Sequence, residues 1–380
     1  MCIRDSLNGV VNINSGTVSE NTNIYGGVLN LNGGTISGDL SLDPFFVTPQ
    51  FNQNGGTLDL DNLSLDFVPG GGAEVTVGPG DNVSDSITVL GGKLTIDAEL
   101  SLSSLFVSGA NDNVGELVLN NSVTVDGPLT ASNGGQIVVA ASIDDASLSA
   151  DSGATIDVDA ASTFNSVVAT GSTINLNEST TGEVEINEDS TLNLNNDAVL
   201  TGSLSLEDST LNRSQDSNLV LLDFSISGGG TAAIREGDQV SESLSVSSGA
   251  EVDVFSILDL DSIRLADGAV LNLFYEMGQD AFLSTDSLEF VGQDSILNLF
   301  YDETELDFRE LDLGIRVSGD QTTELQGLVD AGQIRFSGTP GLLSVFRDVQ
   351  GFGDYTFVGV VGVPEPTSTC LLYTSPSPRD

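Results

Sequence analysis

The 380-residue sequence has no histidine and no tryptophan, and its only two cysteines, Cys2 and Cys370, stand near its ends. Without histidine there is no Ser-His-Asp triad, no histidine metal ligand and no imidazole to transfer protons. The long stretch between the cysteines has neither a disulfide framework nor a thiolate nucleophile. We therefore expect a protein that is not an enzyme and needs no cofactor.

Basic residues are also scarce, because 10 Lys and Arg stand against 56 Asp and Glu, for a net charge of −46. Nucleic acids and anionic membranes are bound by clusters of Lys and Arg, so we expect neither as a partner. The sequence contains no apolar run of roughly 18 residues, the length that a membrane-spanning helix needs. The acidity indicates a solvated surface with, at most, weak binding of divalent cations.

Carboxylates alone could still cleave glycosides or bind calcium. The few basic residues are scattered, however, so no Asp cluster with a neighbouring cation can be selected as a catalytic site. No EF-hand loop pattern occurs. Asp59, Asp61 and Asp66 are close in sequence, and we expect them to form a solvated strand face rather than a metal site.

An apolar–polar–apolar triplet recurs along most of the chain. Its first residue steps by 18 to 20 positions through the series Leu117, Ile137, Ile156, Ile174, Leu192 and Leu211. A second triplet series runs in phase with it through Val184, Leu204, Phe224, Leu244 and Ile263. Alternation places the outer two side chains of each triplet on one face and the middle one on the other. Each period therefore contains two short strands, each with one dry face and one wet face.

A unit of about 20 residues cannot bury its own dry face and must stack on the next copy. The expected fold is all-β, a right-handed parallel β-helix, because parallel crossovers are almost always right-handed. A β-sandwich also has short alternating strands, but the regular spacing argues against it. A propeller would need a longer period of about 40–50 residues.

The strand repeat resembles that of autotransporter passengers and related bacterial surface proteins. The resemblance rests on patterns such as Gly55-Gly56-Thr57-Leu58-Asp59-Leu60 and covers most of residues 7–300. It implies an exported, adhesin-like solenoid.

The repeat loosens after Leu273, and residues 301–360 are expected to form a C-terminal cap that covers the open solenoid end. Residues 320–332 predict the one short helix. Asp320 is its N-cap candidate, Leu325, Leu328 and Val329 are its apolar positions, and Gly332 ends it.

Val363-Pro364-Glu365-Pro366 follows the predicted cap. This segment, within residues 361–369, resembles the start of the PEP-CTERM sorting signal. In that family an apolar helix and a basic cluster follow the Pro-Glu-Pro motif, and an exosortase-type membrane enzyme recognises the signal. Neither feature follows in this sequence. The two prolines keep the segment extended and unpaired, so that an enzyme can reach it.

Both ends of the sequence resemble sequencing adapters. Residues 1–6 and 370–375 back-translate to a transposase end sequence and its reverse complement, and residues 376–380 fit the primer tail that follows. We expect residues 1–6 and 370–380 to be adapter scars and exclude them from fold reasoning. The remaining sequence then divides into a solenoid at 7–300, the cap and a truncated sorting segment.

Two functions of different classes follow from these observations. The first is a non-catalytic structural or adhesive protein of the cell surface or extracellular matrix, sorted by an exosortase-type enzyme and in contact with polysaccharide or other matrix components. The second is a carbohydrate-binding or polysaccharide-cleaving β-helix protein. A row of aromatic side chains along one wall would favour the second.

Overall fold

The computed structural model describes residues 9–43, 48–66, 73–109, 114–275, 281–301, 313–336, 343–348 and 354–360. These residues form a nearly all-β parallel solenoid with one short helix near its C-terminal end. The predicted fold class is thereby confirmed.

The elements alternate along most of the chain between short strands of about four residues and longer strands of about eight or nine. In chain order they are β1 (Val10–Ile13), β2 (Thr17–Val18), β3 (Thr22–Ile24), β4 (Val28–Leu31), β5 (Thr35–Leu42), β6 (Gln50–Gln53), β7 (Thr57–Leu65), β8 (Glu74–Val77), β9 (Asn82–Val89), β10 (Gly92–Ile96), β11 (Leu100–Leu102), β12 (Ser104–Ser108), β13 (Gly115–Leu119), β14 (Val123–Val125), β15 (Pro128–Ser132), β16 (Gln136–Val139), β17 (Asp144–Asp151), β18 (Thr155–Val158), β19 (Ser162–Thr170), β20 (Thr173–Leu176), β21 (Thr180–Asn187), β22 (Thr191–Leu194), β23 (Val199–Glu207), β24 (Thr210–Arg213), β25 (Asn218–Ser227), β26 (Thr231–Ile234), β27 (Gln239–Val246), β28 (Glu251–Val254), β29 (Leu258–Ala266), β30 (Val270–Tyr275), β31 (Ala281–Val291), β32 (Ile296–Tyr301), β33 (Leu313–Ser318), α1 (Thr322–Asp330), β34 (Ile334–Phe336), β35 (Leu343–Asp348) and β36 (Tyr355–Val360).

The chain divides into two compact units, Met1–Ala232 with Gly237–Ser245 and Ala233–Glu236 with Val246–Asp380. In the first unit, the short strands form a three-stranded sheet, β1-β4-β6, and an eight-stranded sheet that runs from β8 to β24. In the second unit, β28, β30, β32 and β34 pair in that order. All of these pairs are parallel, so each coil stacks on the one before it.

The triplets determine the core as expected. In β22, Leu192 and Leu194 are fully buried, whereas Asn193 between them is half-buried on the outer face. Leu192 lies in register between Ile174 and Leu211 of the neighbouring coils. Stacked columns of Leu, Ile and Val therefore fill the interior, and each coil buries the apolar face of the next.

Several long strands, namely β7, β19, β25 and β29, contain a corner that the triplets do not reveal. In β7, Leu58 and Leu60 are buried, and the next buried residues are Leu63 and Leu65, so the alternation shifts by one residue. The β7–β9 pairing shows the same shift between Leu60 and Asn62. An extra residue of this kind bends a strand, as in a β-bulge. A strand of this kind lines two walls rather than the one that the sequence predicted.

Glycine in the Gly-Gly-x-Leu-x-Leu pattern is required by the turn that precedes the long strand. Gly56 has φ +84°, and a Cβ there would lie 2.6 Å from the carbonyl oxygen of Gly34 in the coil below. A side chain would therefore clash with the neighbouring backbone and strain the left-handed conformation.

The C-terminal region combines parallel and antiparallel pairing. Strand β33 pairs parallel with β31 and antiparallel with β36, and β35 adds to the other edge of β36. The predicted helix is α1, with Leu325 and Val329 buried and Leu328 half-buried. The predicted N-cap Asp320 is wrong by one residue, because Gln321 holds that position without a side-chain cap. The Asp320 carboxylate instead accepts a hydrogen bond from the Thr322 hydroxyl at 2.9 Å.

Candidate functional surface

The outer face of the short-strand wall carries columns of hydrogen-bonded amides. In the first unit, Asn193 Nδ2 donates to Asn175 Oδ1 at 2.6 Å and accepts at its own Oδ1 from Asn212 Nδ2 at 2.9 Å. This column, which we call the central ladder, runs Asp157-Asn175-Asn193-Asn212. A lateral ladder two residues further along each strand runs Asp159-Asn177-Asn195.

Both ladders have a direction, because each amide donates toward the preceding coil. They therefore end there on a group that only accepts, and that group is an aspartate in each case. Asn175 Nδ2 donates to Asp157 at 2.5 Å, and Asn177 Nδ2 donates to Asp159 at 2.6 Å. The other oxygen of Asp157 accepts from Gln136 at 3.0 Å. The order of Asp and Asn along the column thus matches the direction of its hydrogen bonds.

Two further amide ladders run along the first coils of the same unit. Asn52 donates to Asn30 and Asn30 to Asn12, at 2.9 and 2.8 Å. In the lateral position Asn54 donates to Asn32 and Asn32 to Asn14, at 2.9 Å each. The triplet pattern predicts that these asparagines face outward, but it does not predict their hydrogen bonds between coils.

In the second unit, a separate amide ladder occupies the central position of the short strands, and aromatic rings occupy the lateral position. Asn298 donates to Asn272, which in turn donates to Asp253, at 2.8 Å each. In the lateral position, Phe274 stacks against Phe255 and Phe300, with ring centroids 4.8 Å apart and planes within 10°.

This stack is the aromatic row that would favour carbohydrate binding, but its geometry is unsuited to it. Sugars pack against the faces of aromatic rings, and both faces of Phe274 are covered by its two neighbours. Only ring edges remain along the middle of the row. The row therefore stabilises the coil stack, in place of the amides of the first unit.

Asp253, which ends the amide ladder of the second unit, has a raised pKa. Burial between the coils is the main cause, and the hydrogen bond from Asn272 opposes it, while the nearby negative charge of Glu251 adds to it. Asn272 Nδ2 donates to both carboxylates, at 2.5 Å to Glu251 and 2.8 Å to Asp253. One amide group thus serves two negative charges.

Asp253→Asn is expected to stabilise the protein at neutral pH, by less than about 1 kcal/mol for a partly exposed group. A raised pKa means that ionised Asp253 is disfavoured in the folded state, so wild-type stability is lost as pH rises through that value. The neutral amide avoids this loss and still accepts from Asn272. Thermal unfolding at several pH values should show the gain above the raised pKa, and none below about pH 3.9, the usual aspartate value.

Asp253→Ala is the matched control, because it removes the charge and the hydrogen-bond acceptor together. It should lose the gain, since Asn272, 3% exposed, then lacks that acceptor. A gain with Ala as large as that with Asn would contradict a role for the ladder bond.

Two charged or polar pairs lie inside the first unit, where the triplets predict only apolar residues. Arg213 takes the inward position that Leu194 holds in the preceding coil. Its guanidinium makes two 2.6 Å contacts with the Asp238 carboxylate, and the side chains are 2% and 0% exposed. Asp238 also accepts from the Leu219 N–H at 2.8 Å.

The second pair repeats this arrangement without a positive charge. Gln53 stands at the inward position of Leu31, and its Nε2 lies 2.9 Å from both oxygens of Asp81. Asp81 accepts from the Leu58 N–H at 2.8 Å, as Asp238 does from Leu219. Strands β6 and β24, which carry Gln53 and Arg213, are the last strands of their sheets. Each pair thus links coils where the short-strand ladder stops.

Acidic residues are spread over the part of the chain that the structure describes. Among the described residues no group of three or more His, Cys, Asp or Glu could hold a metal ion. Asp59 and Asp61 are exposed on β7, whereas Asp66 follows the strand and has its pKa raised by burial and then by Asp43. A groove beside Glu188, Asp189 and Asp208 is polar and open to solvent.

The predicted sorting residues Val363, Pro364, Glu365 and Pro366 lie outside the described residues. In the described part of the chain, no helix combines the length and apolar character that crossing a membrane requires. Compared with protein-family models, curated proteins and solved structures, the chain matches none.

Proposed function

We propose that this chain is a non-catalytic structural or adhesive protein, exported to the cell surface or extracellular matrix. The observation that supports it best is the amide ladders on the outer wall. They tie successive coils together outside, while columns of Leu, Ile and Val hold them inside. The polar groups of this wall are hydrogen-bonded to neighbouring coils, which suits a scaffold better than a catalytic cleft.

The net charge of −46 supports an exposed, well-solvated protein and opposes nucleic acid as a partner. Extracellular polysaccharide or another matrix component is the partner class that fits a neutral amide face. We propose at most weak binding of divalent cations by the acidic surface, and no other cofactor.

An exosortase-type enzyme is the second partner that we propose, acting through Val363–Pro366. The test is a chain in which an apolar helix and a basic cluster follow Thr369, expressed in a bacterium that has such an enzyme. We expect the chain to be cut and to reach the cell surface. Replacing Pro364, Glu365 and Pro366 by alanine should leave it uncut in the cell.

The same chain in a host without the enzyme is the control, and it should behave like the alanine variant. If the alanine variant is cut and exported as well as the parent, the sorting part of the proposal is wrong. Incubation with a panel of polysaccharides tests the other part. Saturable binding with release of reducing ends would replace the structural role by a polysaccharide-cleaving one.

A further inference from the structure

Three described sites share the tripeptide Asn-Gly-Gly, at Asn32, Asn54 and Asn133. Glycine after asparagine favours spontaneous deamidation, because it leaves the attacking backbone nitrogen unhindered. All three asparagines are exposed. Local sequence and exposure therefore predict similar reactivity, and any difference must come from hydrogen bonding.

At Asn32 and Asn54 both reacting groups are held. The side-chain amides donate to Asn14 and Asn32, at 2.9 Å each. The attacking nitrogens are held too, since the Gly33 N–H donates to Ile13 at 3.2 Å and the Gly55 N–H to Leu31 at 3.1 Å.

Asn133 is in a different environment. Asn133 and Gly134 have φ of +47° and +79°, and the Gly135 N–H donates to the Ser132 carbonyl at 2.8 Å. Positive φ at both central residues is typical of a type I′ turn. Within the described residues the Gly134 N–H has no hydrogen-bond acceptor. The Asn133 amide makes only long contacts with two serine hydroxyls, at 3.3 and 3.4 Å.

We infer that Asn133 is a site of spontaneous modification and that the Asn14-Asn32-Asn54 ladder protects Asn32 and Asn54. The Gly134 nitrogen attacks Asn133 Cγ, a C–N bond forms, and the Cγ–Nδ2 bond breaks. Ammonia leaves with the proton from the Gly134 amide. Water then opens the cyclic imide at either carbonyl, giving aspartate or isoaspartate.

The modification has a structural consequence at this corner. Isoaspartate adds one carbon to the main chain, which a two-residue turn cannot accommodate while keeping the Gly135–Ser132 hydrogen bond. Either product also adds a negative charge next to Ser108 and Ser132. The corner between β15 and β16 is therefore the place where an aged molecule opens and becomes accessible to proteases.

The test is to incubate the full chain in mildly alkaline buffer and follow all three sites by peptide mapping and isoaspartyl methylation. Freeing a glycine nitrogen costs one hydrogen bond, so Asn133 should react at least about tenfold faster than Asn32 or Asn54. In denaturant the three rates should converge. Equal rates in the folded chain, or a difference that persists in denaturant, would overturn the inference.

Asn14→Ala tests the ladder directly, because it removes the acceptor of the Asn32 amide. We expect deamidation at Asn32 to become several-fold faster. Asn12→Ala is the matched control, because it removes the acceptor of Asn30 and leaves the acceptor of Asn32 in place. The deamidation rate at Asn32 should therefore stay unchanged in Asn12→Ala. An Asn32 rate that stays at its wild-type value in folded Asn14→Ala would show that the ladder gives no protection.

Discussion

Replacing Asp238 by alanine is expected to lower the free energy of unfolding by about 3–5 kcal/mol. The change leaves the Arg213 guanidinium inside the solenoid without the carboxylate that meets it through two 2.6 Å contacts. It also removes the acceptor of the Leu219 N–H. A buried positive charge without this carboxylate costs far more than the packing contacts of the three carboxylate atoms that are lost.

Matched variants for this site can be taken from residues that other coils of the chain have at the corresponding positions. Arg213→Leu combined with Asp238→Ala introduces residues that another coil has at the corresponding positions, since Leu194 of β22 is inward and the buried Ala198 directly precedes the long strand β23. A buried ion pair replaced by apolar residues is often neutral or stabilising. The Leu219 N–H still loses its acceptor, so the double variant should fall within about 2 kcal/mol of wild type.

Arg213→Gln is the second matched variant, because it copies the Gln53–Asp81 pair. It should cost less than Arg213→Leu alone, which removes the side-chain donor at position 213 and leaves the Leu219 N–H bonded to the Asp238 carboxylate. Urea unfolding followed by circular dichroism gives the stabilities, and hydrogen exchange of β24 and β25 shows where the loss occurs. If the double variant is no more stable than Asp238→Ala, the unpaired Arg213 guanidinium is not the cause of the loss in Asp238→Ala.

The stacking of coils could be predicted from the sequence because it depends on a repeated local pattern. Ile174, Leu192 and Leu211 are spaced by the length of one coil, and they lie in register as the spacing requires. The third wall could not be predicted in the same way. The corner between Leu60 and Leu63 changes the alternation by one residue, and the second half of β7 then reads as a separate strand.

The surface and the inward polar pairs were beyond sequence reasoning for a different reason. The sequence predicts that the middle residue of each triplet faces outward, and the structure confirms this orientation for Asn193. Whether Asn193 bonds to water or to Asn175 depends on register between coils, and one sequence shows that only after stacking is known. Arg213 breaks the triplet Leu211-Asn212-Arg213, and that break was the available signal. Its partner, 25 residues away, has no local pattern.

Leu192→Asp and Asn193→Asp introduce the same carboxylate at adjacent residues and are expected to differ by several kcal/mol. Leu192 is fully buried between Ile174 and Leu211, so its replacement places a charge in a dry column. The group must either ionise there or remain protonated at neutral pH, and both cost free energy. We expect the coils around β22 to unfold, because each coil is held mainly by its two neighbours.

Asn193→Asp keeps the acceptor for Asn212 but loses the donor to Asn175 and turns two oxygens toward each other. Its cost should be about 1 kcal/mol, more than an ordinary surface change of about 0.5 kcal/mol or less. Thermal unfolding with hydrogen exchange of β20, β22 and β24 separates the two variants. Asn193→Asp should raise exchange only slightly in those strands, and Leu192→Asp should abolish their protection.

Equal losses of stability in the two variants would mean that the inward and outward faces are not as different as their burial implies. No loss of stability in Asn193→Asp would mean that the central ladder contributes nothing to stability.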